Sequence, residues 1–158
     1  NITNNSKHTA MKKLLGLVLL MLVFTSATKL ASPKTEPFHS IEGTWELESF
    51  YSYDGEDISD TIAKADGYRQ VKMYSKGKIM WTRYVPEDPK GRFGYGSYRI
   101  SENELVETIE YGDNDMMKAL DTMRNFTFEL ILKADTFSQI TLDEEGNRTS
   151  SENYTRID

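Results

Sequence analysis

From residue 40 onward, the chain consists of short stretches of alternating apolar and polar residues, separated by turn residues. In the first stretch, Trp45 and Leu47 alternate with Thr44, Glu46 and Glu48. A period of two places successive side chains on opposite faces of a β-strand. The pattern predicts eight strands, over residues 44–50, 68–74, 79–84, 94–100, 104–111, 125–132, 136–142 and 149–157.

Most of the predicted strands are joined by short connections. The turn Ser75–Lys78, for example, contains Gly77, which can adopt a positive φ in a tight hairpin. Eight antiparallel strands joined in this way are typical of an up-and-down barrel, which leaves no unpaired strand edge. We therefore predict an all-β, eight-stranded antiparallel barrel over residues 40–158. A two-layer sandwich fits the same spacing and remains the alternative.

Two segments between strands have helical spacing, so the barrel is expected to carry one or two short helices. In residues 57–65, Ile58 and Ile62 are four positions apart and Gly67 follows. In residues 115–124, one face would carry four apolar side chains. These are Met116, Met117, Leu120 and Met123.

The N-terminal residues have the pattern of a secretory signal peptide. Lys12 and Lys13 precede an apolar run of eleven residues, 14–24, and small residues follow up to Ala27. Eleven apolar residues are too few to span a bilayer, which takes about 20. We therefore predict a signal peptide over Met11–Ala27, with cleavage after Ala27 as the first choice and after Ala31 as the second.

This pattern sets the predicted domain organisation. Residues 1–10 would be an upstream extension, 11–27 the signal peptide, 28–39 a flexible lead-in containing prolines, and 40–158 the folded domain. The chain is expected to be secreted or periplasmic, with no stable membrane anchor after signal cleavage.

Composition excludes several classes of function. The 158 residues contain no cysteine, so disulfides, thiolate nucleophiles, zinc–thiolate sites and iron–sulfur clusters are excluded. The net charge is −6, and it becomes −9 without residues 1–27. Because the chain is acidic and its basic residues look scattered, nucleic acid is not an expected partner.

Catalysis finds little support in the sequence. His39, in the lead-in, is the single histidine after residue 27, which argues against a Ser–His–Asp site. The acidic turns 54–57 and 113–115 lack EF-hand spacing, so no metal site is predicted. No catalytic residue and no cofactor are assigned.

Gly43-Thr44-Trp45 at the start of the first strand resembles the G-x-W motif of the lipocalin and wider calycin families. In those families the tryptophan packs at the closed end of the barrel and a basic side chain from the last strand lies across it. Arg156 occupies the matching place here. The resemblance implies a structural role for Gly43, Trp45 and Arg156, with the guanidinium stacked on the indole ring.

Further segments are similar to small bacterial secreted lipocalin-like domains, and the likeness covers roughly residues 40–158. They are residues 72–81, 94–98 and 107–111. The resemblance implies an eight-stranded barrel with a ligand cavity, but it brings no ligand with it. The chain departs from true lipocalins in having no disulfide, and their second and third signature motifs are not recognisable.

The strand alternation predicts which side chains face the barrel interior. A mostly apolar interior with a few polar groups suits a small-molecule site. The predicted inward positions are Ile79, Trp81, Arg83, Tyr98, Leu105, Glu107, Ile109, Tyr111, Phe126, Phe128, Leu130 and Leu132.

We select Trp81, Arg83, Tyr98, Glu107 and Phe128 as candidate ligand contacts. The leading hypothesis is a secreted lipocalin-like protein that binds a small hydrophobic or amphipathic ligand, with Arg83 holding its acidic or carbonyl group. One alternative is a calycin-like isomerase or hydrolase that uses Glu107 as its cavity carboxylate. Another is a cell-envelope interaction protein whose barrel is filled by its own side chains.

Overall fold

Nine β-strands and one short helix make up residues 39–158, the part of the chain that the computed structural model describes. The predicted extension 1–10, the signal peptide 11–27 and the lead-in up to residue 38 lie outside the described residues. The strands are β1 (Gly43–Asp54), β2 (Asp57–Ala63), β3 (Arg69–Ser75), β4 (Lys78–Val85), β5 (Asp88–Ser101), β6 (Glu104–Gly112), β7 (Asn125–Leu132), β8 (Thr136–Leu142) and β9 (Arg148–Arg156). The helix, α1, spans Asn114–Leu120.

β1 closes the antiparallel sheet into a ring because it pairs with strands on both sides. Its first half, Gly43–Glu46, pairs with β3, and Trp45–Ser52 pairs with β9. β3 to β9 pair with one another in chain order, so eight strands complete the ring. The ninth, β2, pairs only with the second half of β1. The all-β class with one short helix is confirmed, while the sheet has nine strands instead of eight.

The helix predicted over residues 57–65 is wrong, because this segment is strand β2. Gly55-Glu56 forms a two-residue turn between the paired Asp54 and Asp57, with Gly55 at φ +62°, and β2 folds back on β1. A two-residue loop with glycine at its first position is a favoured hairpin connection. All seven side chains of β2 are exposed, so the four-residue spacing of Ile58 and Ile62 has no apolar surface to pack on.

The second predicted helix is present but shorter than expected. Its N-cap is Asp113, whose carboxylate accepts hydrogen bonds from the backbone N–H groups of Asp115 and Met116. The helix ends at the buried Leu120, four residues before the predicted end. Within residues 39–158, no helix is both long and apolar enough to cross a lipid bilayer.

Trp45 and Arg156 form the contact that the G-x-W resemblance implies. The guanidinium carbon of Arg156 lies 4.0 Å from the centre of the fully buried Trp45 ring. The guanidinium also donates hydrogen bonds to the carbonyls of Glu42 and Ser40, at 2.7 and 2.9 Å. This contact covers the end of the ring where β1 begins and β9 ends.

The apolar core continues inward from Trp45. Its indole packs edge-on against Phe137 with ring centres 5.0 Å apart, and its Nε1–H donates to the carbonyl of Ile41 at 2.7 Å. Phe137 stacks in turn on Tyr154, at 4.6 Å. This aromatic layer leaves the other half of the ring interior for polar groups and a cavity.

Candidate functional site

A cavity of about 190 Å³ lies inside the ring, towards the end where α1 is placed. One part of its wall is apolar, and it comes from four different elements. These residues are Trp81, Ile109, Met116, Phe126 and Phe128. The charged side chains that reach the cavity are Lys72, Arg83, Arg92, Glu107 and Glu152.

Four of the five candidate contacts line this cavity together. They are Trp81, Arg83, Glu107 and Phe128. Tyr98 does not line it: its ring packs edge-on against Tyr74, 5.0 Å away and nearer the covered end. From β5, the strand that carries Tyr98, Arg92 lines the cavity, and the two buried positions between Arg92 and Tyr98 are Gly94 and Gly96, which have no side chain.

A β-bulge overturns the predicted inward position of Tyr111. Gly96 pairs with Ile109 but the preceding Tyr95 pairs with Tyr111, so Glu110 is an extra residue in β6. An extra residue reverses which face the following side chains occupy. Tyr111 is therefore half exposed and packs against Tyr95 on the outer face, with ring centres 5.2 Å apart.

Gly94 makes room for the indole of Trp81. The two residues are cross-strand partners on β4 and β5. A Cβ atom at Gly94 would lie 2.4 Å from Trp81 Nε1 and 2.6 Å from its Cε2, closer than van der Waals contact allows. The ring can lie flat across the strand only because residue 94 has no side chain.

Lys72 and Glu107 form a buried ion pair on the cavity wall. Both side chains are almost completely excluded from solvent. Lys72 Nζ donates to the two oxygens of Glu107 at 2.9 and 3.1 Å, and to Gln139 Oε1 at 2.6 Å. Tyr74 donates its hydroxyl to Glu107 Oε1 at 2.5 Å. Burial, together with the Glu107 charge, raises the pKa of Tyr74 well above its usual value, so the phenol keeps the proton it donates.

Glu152 is the centre of a second polar group. Its Oε2 accepts hydrogen bonds from Gln70 at 3.0 Å, from Gln139 at 2.9 Å and from the Tyr154 hydroxyl at 2.6 Å. Burial and the nearby carboxylate raise the pKa of Tyr154 well above its usual value. Because Gln139 contacts both Lys72 and Glu152, the two groups form one continuous network.

This network provides hydrogen-bond partners for the polar side chains on the cavity wall. In residues 39–158, every deeply buried side-chain nitrogen and oxygen has a hydrogen-bond partner. A fully satisfied network holds its members in one arrangement. The carboxylate of Glu107, on which the enzyme hypothesis depends, is held by Lys72 and Tyr74.

Arg83 differs from the other cations of the cavity wall because no carboxylate lies within hydrogen-bonding distance of its guanidinium. Its Nε donates to Gln70 Oε1 at 2.8 Å, and its nearest carboxylate contact is Glu152 at 3.9 Å. Within the described part of the chain, its terminal nitrogens make no hydrogen bond. The side chain is 39% exposed, and its guanidinium lies 5.7 Å from the Trp81 ring centre. Arg83 can therefore donate to a group in the cavity without losing a present partner.

Arg92 lies beside Arg83 as its direct cross-strand partner, but its guanidinium is paired with two carboxylates, those of Asp113 and Asp115. Its Nε donates to Asp113 at 3.0 Å. Asp113 also accepts backbone N–H bonds from Phe93, Asp115 and Met116. Burial acts to raise the pKa of Asp113, but these donors outweigh it and lower the pKa to about 2. The carboxylate thus fixes α1, and with it Met116, over the cavity.

Sequence reasoning missed several cavity residues, most clearly on β3. There the apolar Val71 and Met73 face outward while the polar Gln70 and Lys72 face inward. Hydrophobicity alone predicts the opposite arrangement. The inward-facing Tyr74, two positions beyond Lys72, is the signal that could have fixed the register.

The comparisons with known proteins do not identify the site. No protein-family model matches the sequence, and no curated protein matches it. Among solved structures, the chain is similar to an uncharacterized protein from Bacteroides eggerthii DSM 20697, with 15% sequence identity and a TM-score of 0.49. That alignment covers 75% of this chain and 100% of the other.

Proposed function

We propose that the closed ring is a lipocalin-like, eight-stranded up-and-down barrel that binds a small, partly apolar ligand in its interior cavity. The observation that supports this is the combination of an apolar wall with one guanidinium, that of Arg83, which has no hydrogen-bonded carboxylate partner. Ligand sites are typically concave and mostly apolar, with a few placed polar groups. The apolar residues form one wall although they lie on β4, β6, β7 and α1.

The volume of the cavity limits the ligand to a small molecule. About 190 Å³ is below the range of about 300–1,000 Å³ typical of drug-sized ligands. An engineered apolar cavity of about 150 Å³ in another protein accommodates benzene. A single ring with one carboxylate or carbonyl substituent therefore fits, and a long acyl chain does not fit entirely inside.

The polar chemistry favours an acidic substituent. The ammonium group of Lys72 is already bonded to Glu107, and Arg92 is bonded to Asp113. The Arg83 guanidinium has no hydrogen-bonded carboxylate partner, so its charge remains available to a ligand. A guanidinium binds a carboxylate with two parallel hydrogen bonds. We assign Arg83 as the anchor, with Trp81 and Phe128 contacting the apolar part of the ligand.

Calorimetric titration with benzoate and benzamide tests this assignment. The two probes share a ring, and only benzoate carries a charge. We expect the protein to prefer benzoate, and Arg83→Met to weaken benzoate binding about tenfold or more, because a charge-assisted hydrogen bond contributes about 1.5–3 kcal/mol. Benzamide binding should change much less.

Arg99→Met is the matched control, because Arg99 is an exposed arginine of the neighbouring strand β5. It should bind both probes as the original chain does. Equal affinity of Arg83→Met and the original chain for benzoate would refute the role of Arg83. Failure of both probes to bind would refute the cavity as a ligand site.

We further propose that the chain is exported, on the basis of the signal-peptide pattern of residues 11–27. Intact-mass measurement of the protein isolated from its host then gives Thr28 as the first residue. A chain that still contains residues 11–27 would contradict export by this route.

A further inference from the structure

Basic residues are concentrated in three neighbouring strands, β3 to β5, and are not scattered as the sequence first suggests. Residues 69–99 contain eight Lys and Arg but two Asp and Glu, a net charge of +6, or +5 without Lys72, which is buried inside the ring in its pair with Glu107. The other described residues contain six basic and 22 acidic side chains, a net charge of −16. Because β3, β4 and β5 are adjacent in the ring, the molecule has one basic side in an otherwise acidic surface.

The outer face of these strands also exposes large apolar side chains. Met73, Met80, Tyr84 and Phe93 all point outward and are well exposed. Met80, Tyr84 and Phe93 line a shallow groove of about 610 Å³, and the four charged residues along it are all cationic: Arg69, Arg83, Lys90 and Arg92. Arg69 is paired with Glu46 and Arg92 with Asp113. We call this surface, residues 69–99 on the outside of the ring, the basic apolar face.

The main chain of this face has little free pairing edge. β4 pairs with β3 and β5, and β5 pairs with β4 and, from Gly94 onward, with β6, so the free edge of β5 is confined to Asp88–Phe93. Recognition over a broad area must therefore come from side chains. A partner has to offer several negative charges over a broad area together with an apolar phase for the Met, Tyr and Phe side chains.

An anionic lipid surface provides both of these features. Each Lys or Arg near such a surface contributes about 1 kcal/mol to binding, and aromatic side chains favour the headgroup level. Nucleic acid offers phosphates but no apolar phase along its backbone. The acidic remainder of the molecule would point away from the lipid, so the charge distribution also orients the approach.

We propose that the basic apolar face docks the protein reversibly on an anionic lipid surface. The contact is peripheral, through side chains of β3, β4 and β5, and requires no membrane-spanning segment. It is independent of what the interior cavity binds. Lys90 and Met80 represent its two components, because Lys90 makes no ion pair within residues 39–158 and Met80 is 41% exposed.

Vesicle co-sedimentation tests the proposal, using the protein and its variants isolated from one host so that N-terminal processing is the same. We expect binding to phosphatidylcholine vesicles that contain phosphatidylglycerol, weak binding to phosphatidylcholine alone, and loss of binding as salt is raised. Lys90→Glu should lower the partition coefficient about 30-fold, because the substitution changes the charge by two units and each unit contributes about 1 kcal/mol. Met80→Ser should lower it several-fold.

Two variants elsewhere on the ring serve as matched controls. Ile131→Ser changes an apolar side chain that is 40% exposed on β7, and Lys133→Glu reverses an exposed charge after β7. Both should leave the partition coefficient within about twofold of that of the original chain. Thermal unfolding confirms that all four variants are folded.

Three results would overturn the proposal. One is the absence of binding to phosphatidylglycerol vesicles, even if the basic apolar face binds an acidic protein. Another is equal binding to neutral vesicles. The third is a salt-sensitive oligomer in sedimentation velocity that Lys90→Glu dissociates, because the basic face would then contact the acidic surface of a second copy.

Discussion

At the scale of single residues, the buried ion pair of Lys72 and Glu107 controls the polar wall of the cavity. Removing one member of such a pair leaves an uncompensated buried charge, which costs about 3–5 kcal/mol. We therefore expect Lys72→Met to lower the free energy of unfolding by about this amount. The double variant Lys72→Met/Glu107→Gln should recover at least half of the loss, because no charge then remains to be buried.

Urea denaturation of the two single variants and the double variant measures this coupling. Additive losses would show that Lys72 and Glu107 do not interact as the 2.9 Å contact indicates.

The stacking of Arg156 on Trp45 gives a second prediction at this scale. Lysine at position 156 would keep the charge but lose the planar contact with the indole and part of the hydrogen bonding to the carbonyls of Ser40 and Glu42. Arg156→Lys should lower the free energy of unfolding by about 2–3 kcal/mol, as measured by urea denaturation.

The exposed Arg99 provides the comparison for this substitution. Arg99→Lys should change the stability by less than about 0.5 kcal/mol. If Arg156→Lys lowers the free energy of unfolding no more than Arg99→Lys does, the guanidinium of Arg156 does not stabilise the covered end of the ring.

A single residue can be placed from sequence when buried apolar neighbours on the same strand show which face of the strand points inward. Glu107 was placed correctly on the cavity wall because it lies between the buried Leu105 and Ile109, and Trp81 and Arg83 because they follow the buried Ile79 on the same face. Tyr111 was misplaced because a bulge is a backbone feature that alternation does not reveal. Lys72 was missed because it is a charged residue in the interior, which is rare without a buried partner.

At the scale of elements, Asp113 connects α1 to β5 and gives a pH-dependent prediction. Its pKa is about 2 in the folded protein, below its ordinary value of 3.8, so its contribution to stability is fully present above pH 5. That contribution is lost as the pH falls from about 5 towards 2. We expect it to be about 1–2 kcal/mol, reduced from the full linkage value because the side chain is partly solvated.

Asp113→Asn removes the titration but keeps an oxygen that can cap the helix. The difference in unfolding free energy between this variant and the original chain should be about 1–2 kcal/mol at pH 7 and should shrink as the pH is lowered from 5 to 3. Urea denaturation across this pH range measures it. A difference that does not change with pH would show that the charge of Asp113 is not what stabilises α1.

The β4–β5 pair gives a second prediction for an element, at Gly94. A methyl group at this position would collide with the Trp81 ring, so Gly94→Ala must displace the indole or bend β5. The expected loss of stability is about 1–3 kcal/mol, as for other overpacked sites, together with a shift in Trp fluorescence. Both are measured in one denaturant titration.

Gly146→Ala is the control, since a Cβ there has no neighbour within 4 Å. It carries only the strain of its positive φ and should leave the Trp emission unchanged. If Gly94→Ala leaves the emission unchanged as well, the indole of Trp81 does not lie across Gly94.

The elements themselves show what limits prediction from sequence. Strands with clear alternation, such as β6 and β7, were predicted within about two residues of their bounds. β2 was predicted as a helix because two isoleucines have helical spacing, although the Gly55-Glu56 turn before them indicates a hairpin. Its exposed side chains contribute no burial pattern, so only its pairing with β1 identifies it as a strand.

At the scale of the whole molecule, the closed ring separates two chemically different surfaces. The interior is sealed at one end by Trp45 and Arg156 and holds a cavity at the other. The outer side of β3–β5 is basic and apolar, in a chain whose overall charge is negative. Arg83 and Arg92 border both surfaces, so a ligand in the cavity would lie close to whatever contacts that face.

Neither surface follows from composition alone. The cavity depends on Gly94, which makes room for the Trp81 ring, and on a network that joins five strands, and both require knowledge of the pairing. The charge asymmetry is present in the sequence, but it becomes a surface only because β3, β4 and β5 are neighbours.

The most direct test of the central claim, that the ring interior binds a small and partly apolar anion, is an NMR titration of the two tryptophan indole N–H signals with benzoate. Trp81 lines the cavity, while Trp45 is sealed in the core with its N–H bonded to Ile41. We predict a saturable shift of the Trp81 signal and no shift of the Trp45 signal. An unmoved Trp81 signal, or equal shifts of both, would contradict the account.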